Sequence, residues 1–323
     1  MRIFVAGATG AVGRGLVPAL VRAGHEVTGM TRTSAKAAAI EQAGAAPVVA
    51  DALDADAVAG AVAAAEPEVV INELTDLATL GSNMRRFDRY FETTNRLRTE
   101  GNDHLLSAAR AAGARRFLAQ SFGGWPFARD GALVKSEEEP LDPHPAKGMR
   151  AIHAAIRHLE EAVTGAKDIE GLVLRYGFFY GPGTSVAVRP EGSQVAAVRK
   201  RQLPVIGDGA GIWTFTHIDD AAAATALAVQ AGAPGLYNVV DDDPAPVSRW
   251  LPVLAEAVGA PPPRHVPRVL ARIVGGEAAV AMMCEIRGAA NDKAKRELGW
   301  NPIWPSWQEG FRSGLGDPQA SAA

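Results

Sequence analysis

A doubly wound α/β fold, with a parallel sheet covered by helices on both faces, is predicted by two observations. Met1 to Gly13 reads MRIFVAGATGAVG, an apolar run that breaks into a turn with Gly7, Gly10 and Gly13 at even spacing. Short apolar runs recur through the first half of the 323-residue chain, each followed by apolar positions at helical spacing. Strands buried on both faces of a parallel sheet read as such runs, and regular βα alternation is the pattern of a doubly wound sheet. Beyond residue 184 the alternation becomes irregular, with Pro/Gly-rich breaks at 181–183, 207–211 and 260–263. That change predicts a smaller C-terminal lobe, suited to holding a substrate.

The elements follow in order. Ile3, Phe4, Val5 and Ala6 make the first strand, and Leu16, Val17, Leu20 and Val21 the core face of the first helix. Further strands are expected at 26–30, 47–50, 68–71, 116–120 and 171–175. Leu105, Leu106, Ala109 and Ala112 mark one of the helices between them. We divide the chain into a dinucleotide-binding domain at 1–183, to which 211–240 returns, and a lobe made of 184–210 and 241–314. The small, polar stretch 315–323 is expected to fray.

Composition narrows the partners. A net charge of −3 gives no electrostatic reason to expect nucleic acid. No apolar run reaches the length of a membrane span. Cys284 is the single cysteine, and the first strand begins at residue 2, so the expected compartment is the cytoplasm. The seven histidines and one cysteine show no metal-ligand spacing.

Strand, glycine turn and helix together form the context in which a glycine motif signals dinucleotide binding. Gly7 permits the tight turn, Gly10 lets backbone approach a pyrophosphate, and Gly13 lets helix pack on strand. Thr9, Ala11 and Val12 complete the loop, and the helix N-terminus supplies N–H groups and positive potential. A cofactor without a 2′-phosphate usually meets an acid at the tip of the second strand. Here that tip carries Thr31 and Arg32, with Ser34 and Lys36 close by, a set that matches a phosphate. NADP(H) is therefore favoured over NAD(H).

The chain resembles the extended short-chain dehydrogenase/reductases, the NAD-dependent epimerase/dehydratase group, from residue 1 to about 312. The resemblance is carried by Gly7-Ala8-Thr9-Gly10-Ala11-Val12-Gly13, by Asp51 after the third strand, and by Leu174-Arg175 with Phe179-Tyr180-Gly181-Pro182-Gly183. Phe215-Thr216-His217-Ile218-Asp219-Asp220, Tyr237-Asn238-Val239 and Leu298-Gly299-Trp300-Asn301-Pro302 continue it. It implies a nicotinamide cofactor, with Asp51 bonded to the adenine and Ala52, Leu74, Thr75, Tyr176 and Phe178 among the residues lining its site. It also implies a homodimer formed through the helices before the fifth and sixth strands.

In that family a Tyr-x-x-x-Lys pair moves the proton and holds the nicotinamide ribose. The four tyrosines here are Tyr90, Tyr176, Tyr180 and Tyr237, and none falls between Phe91 and Arg175, where the motif belongs. The family spacing puts His153 and Arg157 in its place, followed by Glu161, three residues four apart that are expected to form one helical stripe. Imidazole can exchange a proton near neutral pH, and a nearby guanidinium favours its neutral form. Ser121 matches the family's first strand-end serine, while Phe122 and Gly123 stand where the substrate-polarising hydroxyl belongs. Glu73 is an unexpected acid beside a pyrophosphate site. Trp125, Phe127, Tyr176, Phe178 and Trp213 could build an aromatic pocket. The leading expectation is an NADP(H)-dependent oxidoreductase acting on a carbonyl or hydroxyl of a small molecule through His153, Arg157 and Ser121. A nucleotide-sugar epimerase or dehydratase, and a cofactor-binding protein without net redox turnover, are the alternatives.

Overall fold

The structure, a computed structural model, describes residues 1–77 and 84–316. Its centre is a seven-stranded parallel sheet. The strands are β1 (Arg2–Ala6), β2 (Glu26–Thr31), β3 (Ala46–Val49), β4 (Val69–Asn72), β5 (Arg116–Phe122), β6 (Glu170–Tyr176) and β7 (Gly235–Val239). Their spatial order is β7-β6-β5-β4-β1-β2-β3. The chain leaves β1 toward β2 and β3, then returns to β4 on the other side. The crevice beyond the carboxyl ends of β1 and β4 is therefore the switch point at which such sheets bind ligands.

Helices α1 (Gly13–Arg22), α2 (Ala37–Gln42), α3 (Ala55–Ala65), α4 (Asn102–Ala111), α5 (Arg150–Gly165) and α6 (Ile218–Ala228) flank the sheet. Ile3 and Val5 pack with Leu16, Leu20 and Ala224 on one face; Phe4 and Ala6 pack with Val58, Leu105 and Leu159 on the other. Alternate residues of β1 thus enter two different cores, which is why the run is apolar throughout.

β5 and β6 extend beyond the expected ends to Phe122 and Tyr176, with Ser121 paired to Arg175 and Phe122 to Tyr176. Ser121 and Arg175 stay in the sheet because their side chains find a partner on α5, described below. After β6 the short strands Phe178–Tyr180 and Phe215–His217 pair in parallel, and the helices Val247–Ala257 and Arg268–Cys284 enclose a third core around Trp213, Phe215 and Trp250. Leu315, expected in a frayed tail, is buried, and its carbonyl accepts the Val188 N–H at 2.8 Å. The rest of that tail from 317 lies outside the described residues. Among the described residues no helix is long and apolar enough to cross a membrane.

Candidate functional site

The glycine turn closes over the end of β4. Gly7 has φ +88°, and a Cβ there would lie 2.6 Å from the Glu73 carbonyl oxygen. A Cβ at Gly13 would lie 2.3 Å from the Gly7 oxygen, so the start of α1 is pressed onto the turn. Gly10 differs: a Cβ there would meet the Gly7 oxygen at 3.1 Å and otherwise only the Glu73 oxygen at 4.0 Å. Its outer side is open to an approaching ligand. Val12 is buried, so the loop offers backbone there rather than side chain. α1 begins with no side-chain cap and no acid in its first turn; the Arg14, Gly15 and Leu16 N–H groups are bonded to the Gly10 and Val12 carbonyls, and the positive end of the helix is not offset by a carboxylate. The turn thus fits a dinucleotide pyrophosphate.

At the β2 tip, Arg32, Ser34 and Lys36 are all exposed. Arg32 approaches Asp76 at 3.7 Å with half its side chain in solvent, a weak attachment that leaves it free to turn to a phosphate. A cavity of about 370 Å³ brings Thr9, Arg14 and Lys36 together. Arg14 donates to the Thr9 carbonyl at 3.3 Å. Its place in the first turn of α1 was the signal available for it in the sequence. Asp51 is exposed and accepts the Leu53 N–H at 3.0 Å through one oxygen; Ala52 is buried beneath it.

Across the switch point, Leu74 and Thr75 are half-buried, and the Leu74 N–H is held by Asn72 Oδ1 at 3.2 Å. Glu73 turns its side chain below the sheet, where Tyr176 donates to Oε1 at 3.0 Å and also meets Thr225 at 2.6 Å. Burial pushes the Glu73 carboxyl up to about 8 against the pull of these two hydroxyls. At neutral pH it is therefore protonated and places no negative charge beneath the phosphates. Tyr176 itself is fully buried with its hydroxyl engaged, so it supports the site from the core and does not line it. Phe178 stacks on Trp213 with ring centres 3.7 Å apart and meets Phe122 and Trp125 at 5.1 and 5.6 Å. This aromatic wall stands at the ends of β5 and β6. Phe127 packs elsewhere, with Val240 and Ala289.

The α5 stripe differs from expectation. Arg157 and Glu161 are exposed, whereas His153 is buried and shares its side of the helix with Glu160. At 100° per residue, positions 153 and 160 fall about 20° apart. Glu160 takes two bonds from Arg175, at 2.8 and 2.6 Å, and one from the Ser121 hydroxyl at 2.8 Å, all buried. Ser121 is thus part of a buried ion-pair network rather than a free strand-end hydroxyl. Sequence reading missed Glu160; the signal for it was Arg175, a charge inside an apolar strand that demands a buried partner. Neither ring nitrogen of His153 has a partner among the described residues. Burial first, then the cations Arg157 and Arg129, push it down to about 4 against the opposing pull of Asp142. No group of side chains that could hold a metal occurs among the described residues.

Three comparisons bear on this site. The NAD dependent epimerase/dehydratase family matches residues 3–239. The chain is similar to a 3-diazoavenalumate denitrifying reductase of a Streptomyces species, 45% identical over 312 residues, covering 96% of this chain and 99% of that one. It is 30% identical to a 2-alkyl-3-oxoalkanoate reductase of Stenotrophomonas maltophilia over 81% of this chain and 77% of the other. Among solved structures, a UDP-glucose 4-epimerase of Thermus thermophilus in complex with NAD superposes with a TM-score of 0.70 at 25% identity, covering 98% of each chain.

Proposed function

Since the chain belongs to the NAD dependent epimerase/dehydratase family and is an NAD(P)-dependent oxidoreductase acting on a small molecule, we propose that its donor is NADPH and its substrate a small arene carrying a diazo group. The observation that carries this reading is the state of the proton-handling positions. No tyrosine stands on α5, Ser121 is engaged by Glu160, and His153 is held neutral by burial. Such a site suits a reduction that needs no proton from a side chain. When bound, a reduced nicotinamide supplies one hydride, and in the net reaction that hydride takes the place of N2 on the ring carbon of an arenediazonium ion. The loop Gly7–Gly13 and the α1 N-terminus would hold the pyrophosphate, Asp51 the adenine, and Arg32, Ser34 and Lys36 the 2′-phosphate. Phe122, Trp125 and Phe178 offer ring faces and edges to a planar substrate. The similarity to a denitrifying reductase of a diazo compound supports the same assignment.

Reduction of a carbonyl is the second reading, favoured by the 30% identity to an oxoalkanoate reductase. It would draw its proton from His153, with Arg157 and Ser121 as supports. The family's nucleotide-sugar epimerase chemistry leans on the tyrosine this chain lacks. We place the enzyme in a reducing cytoplasm, which suits its single buried cysteine. We take its assembly to be a homodimer through α4 and α5, to be checked by sedimentation.

Three outcomes are expected in solution. Wild-type protein binds NADPH more tightly than NADH, and Arg32→Ala removes most of the difference, on the order of 1–3 kcal/mol for a charge-assisted contact. Equal wild-type affinity for both dinucleotides would sink the 2′-phosphate assignment. His153→Phe keeps turnover of an arenediazonium substrate near wild type, measured as N2 release and loss of NADPH absorbance. If a 3-oxo acid is the true substrate, turnover of it falls by roughly 100-fold in that variant, the scale of a lost acid–base group. The variant also changes acid stability. His153 titrates at about 4 when folded and about 6.5 when unfolded, so its contribution is present above 6.5 and lost as pH falls toward 4. Melting temperatures of His153→Phe are therefore expected to fall less steeply than wild type across that window.

A further inference from the structure

The helical segment before α4 contains a π-turn, Leu97–Gly101, and it carries Arg98. Such turns are rare and concentrate at functional sites. Arg98 is only 4% exposed, and its Nη1 has no hydrogen-bond acceptor among the described residues. Buried guanidinium groups are ordinarily paired, because an unpaired one costs its full desolvation. The carboxylate whose charge acts on Arg98 is Glu160, yet Glu160 is already committed to Arg175 and Ser121.

The neighbours fix where the backbone of Arg98 stands. Four residues before it, the Thr94 hydroxyl accepts the Asp76 N–H at 3.0 Å. Four residues after it, Asn102 accepts from Asn72 at 3.1 Å. Both contacts reach the end of β4, so Arg98 is flanked by anchors at the carboxyl edge of the sheet. That edge is across the switch point from Arg32 and Asp51. A dinucleotide spanning the switch point puts its second nucleoside here. The α5 face packed against the π-turn offers no cation of its own: Arg157 is exposed, and Ile156, one turn before Glu160, is fully buried.

We propose that Arg98 donates to the hydroxyl oxygens of the cofactor's second ribose, supplying from the π-turn the cation that α5 lacks. This rests on the nicotinamide-cofactor reading above. Arg98 is then a binding and positioning residue, with the π-turn setting its inward direction.

Titration of the purified protein with NADPH and with 2′,5′-ADP, which has the adenosine phosphates but no second ribose, tests the assignment. Arg98→Leu is expected to weaken NADPH about tenfold or more, the scale of a lost charge-assisted hydrogen bond. Its affinity for 2′,5′-ADP is expected to remain within about twofold of wild type, since the phosphate contacts lie elsewhere. Arg98→Lys recovers part of the NADPH loss. In the absence of any nucleotide the Leu variant is expected to melt at or above the wild-type temperature, because an unpaired buried charge has been removed. NADPH affinity unchanged in Arg98→Leu overturns the proposal. So does an equal weakening of both ligands accompanied by a lower melting temperature, which is the signature of a structural arginine. Wild-type protein that binds neither nucleotide defeats the cofactor reading itself, and the proposal with it.

Discussion

Gly10→Val is expected to abolish NADPH binding while leaving a folded protein. The position tolerates a Cβ in the absence of ligand: its tightest neighbour would be the Gly7 oxygen at 3.1 Å, and little else lies nearby. The two methyl groups of valine would project into the open side of the turn, where the pyrophosphate must come within hydrogen-bond distance of backbone. A loss of at least about 100-fold is expected, roughly 2.7 kcal/mol. Gly13→Ala makes the contrast. Its Cβ would stand 2.3 Å from one backbone oxygen and 2.5 Å from another, so the start of α1 must move and the fold itself suffers. Fluorescence titration with NADPH, paired with thermal melting, separates the two variants. Unchanged affinity in a folded Gly10→Val protein would place the nucleotide somewhere other than this turn.

The first strand, the glycine turn and α1 were legible because their determinants are local. An apolar run, a glycine spacing and a helical stripe within the first 22 residues specify β1, the turn and α1. The residue types at Arg32 and Asp51 report on strand tips whose positions that alternation already sets. Helix α5 was legible only in part. Ile152, Ile156, Leu159 and Val163 define an apolar arc from periodicity alone. Which edge of that arc faces the strand ends is decided by Glu160 meeting Arg175 and Ser121, contacts between residues far apart in the chain. Four-residue spacing therefore joined His153 to Arg157 and Glu161, whereas burial joins it to Glu160. Glu73 stood out as an acid in the wrong place, but its neutral state comes from the core beneath the sheet and not from any neighbour in sequence. Arg98 is one of several arginines in its helical segment, and its burial comes from tertiary packing that no local spacing in the sequence announces.

Glu160→Ala is expected to be the most destabilising single change in the α5 interface. The wild-type carboxylate lies between strand and helix, accepting Arg175 through both oxygens and Ser121 through one. Truncation leaves the 2%-exposed Arg175 without its counter-ion and removes the carboxylate that partly offsets the charge of Arg98. Removing one member of a buried pair typically costs about 3–5 kcal/mol, most of it the desolvation of the charge left behind. In denaturant unfolding the midpoint should fall with little change in slope, since the surface exposed on unfolding is nearly the same. The origin of the loss can be isolated. If it arises from stranded cations, the double variant Glu160→Met with Arg175→Met should recover much of the stability, because apolar side chains of similar volume often replace a buried pair at little cost. Arg98→Leu added to Glu160→Ala should also recover part of it, whereas two independent sites would simply add. A Glu160→Ala protein within about 1 kcal/mol of wild type would show that water enters to hydrate Arg175. The Glu160–Arg175 pair would then contribute to register between α5 and the sheet and not to stability.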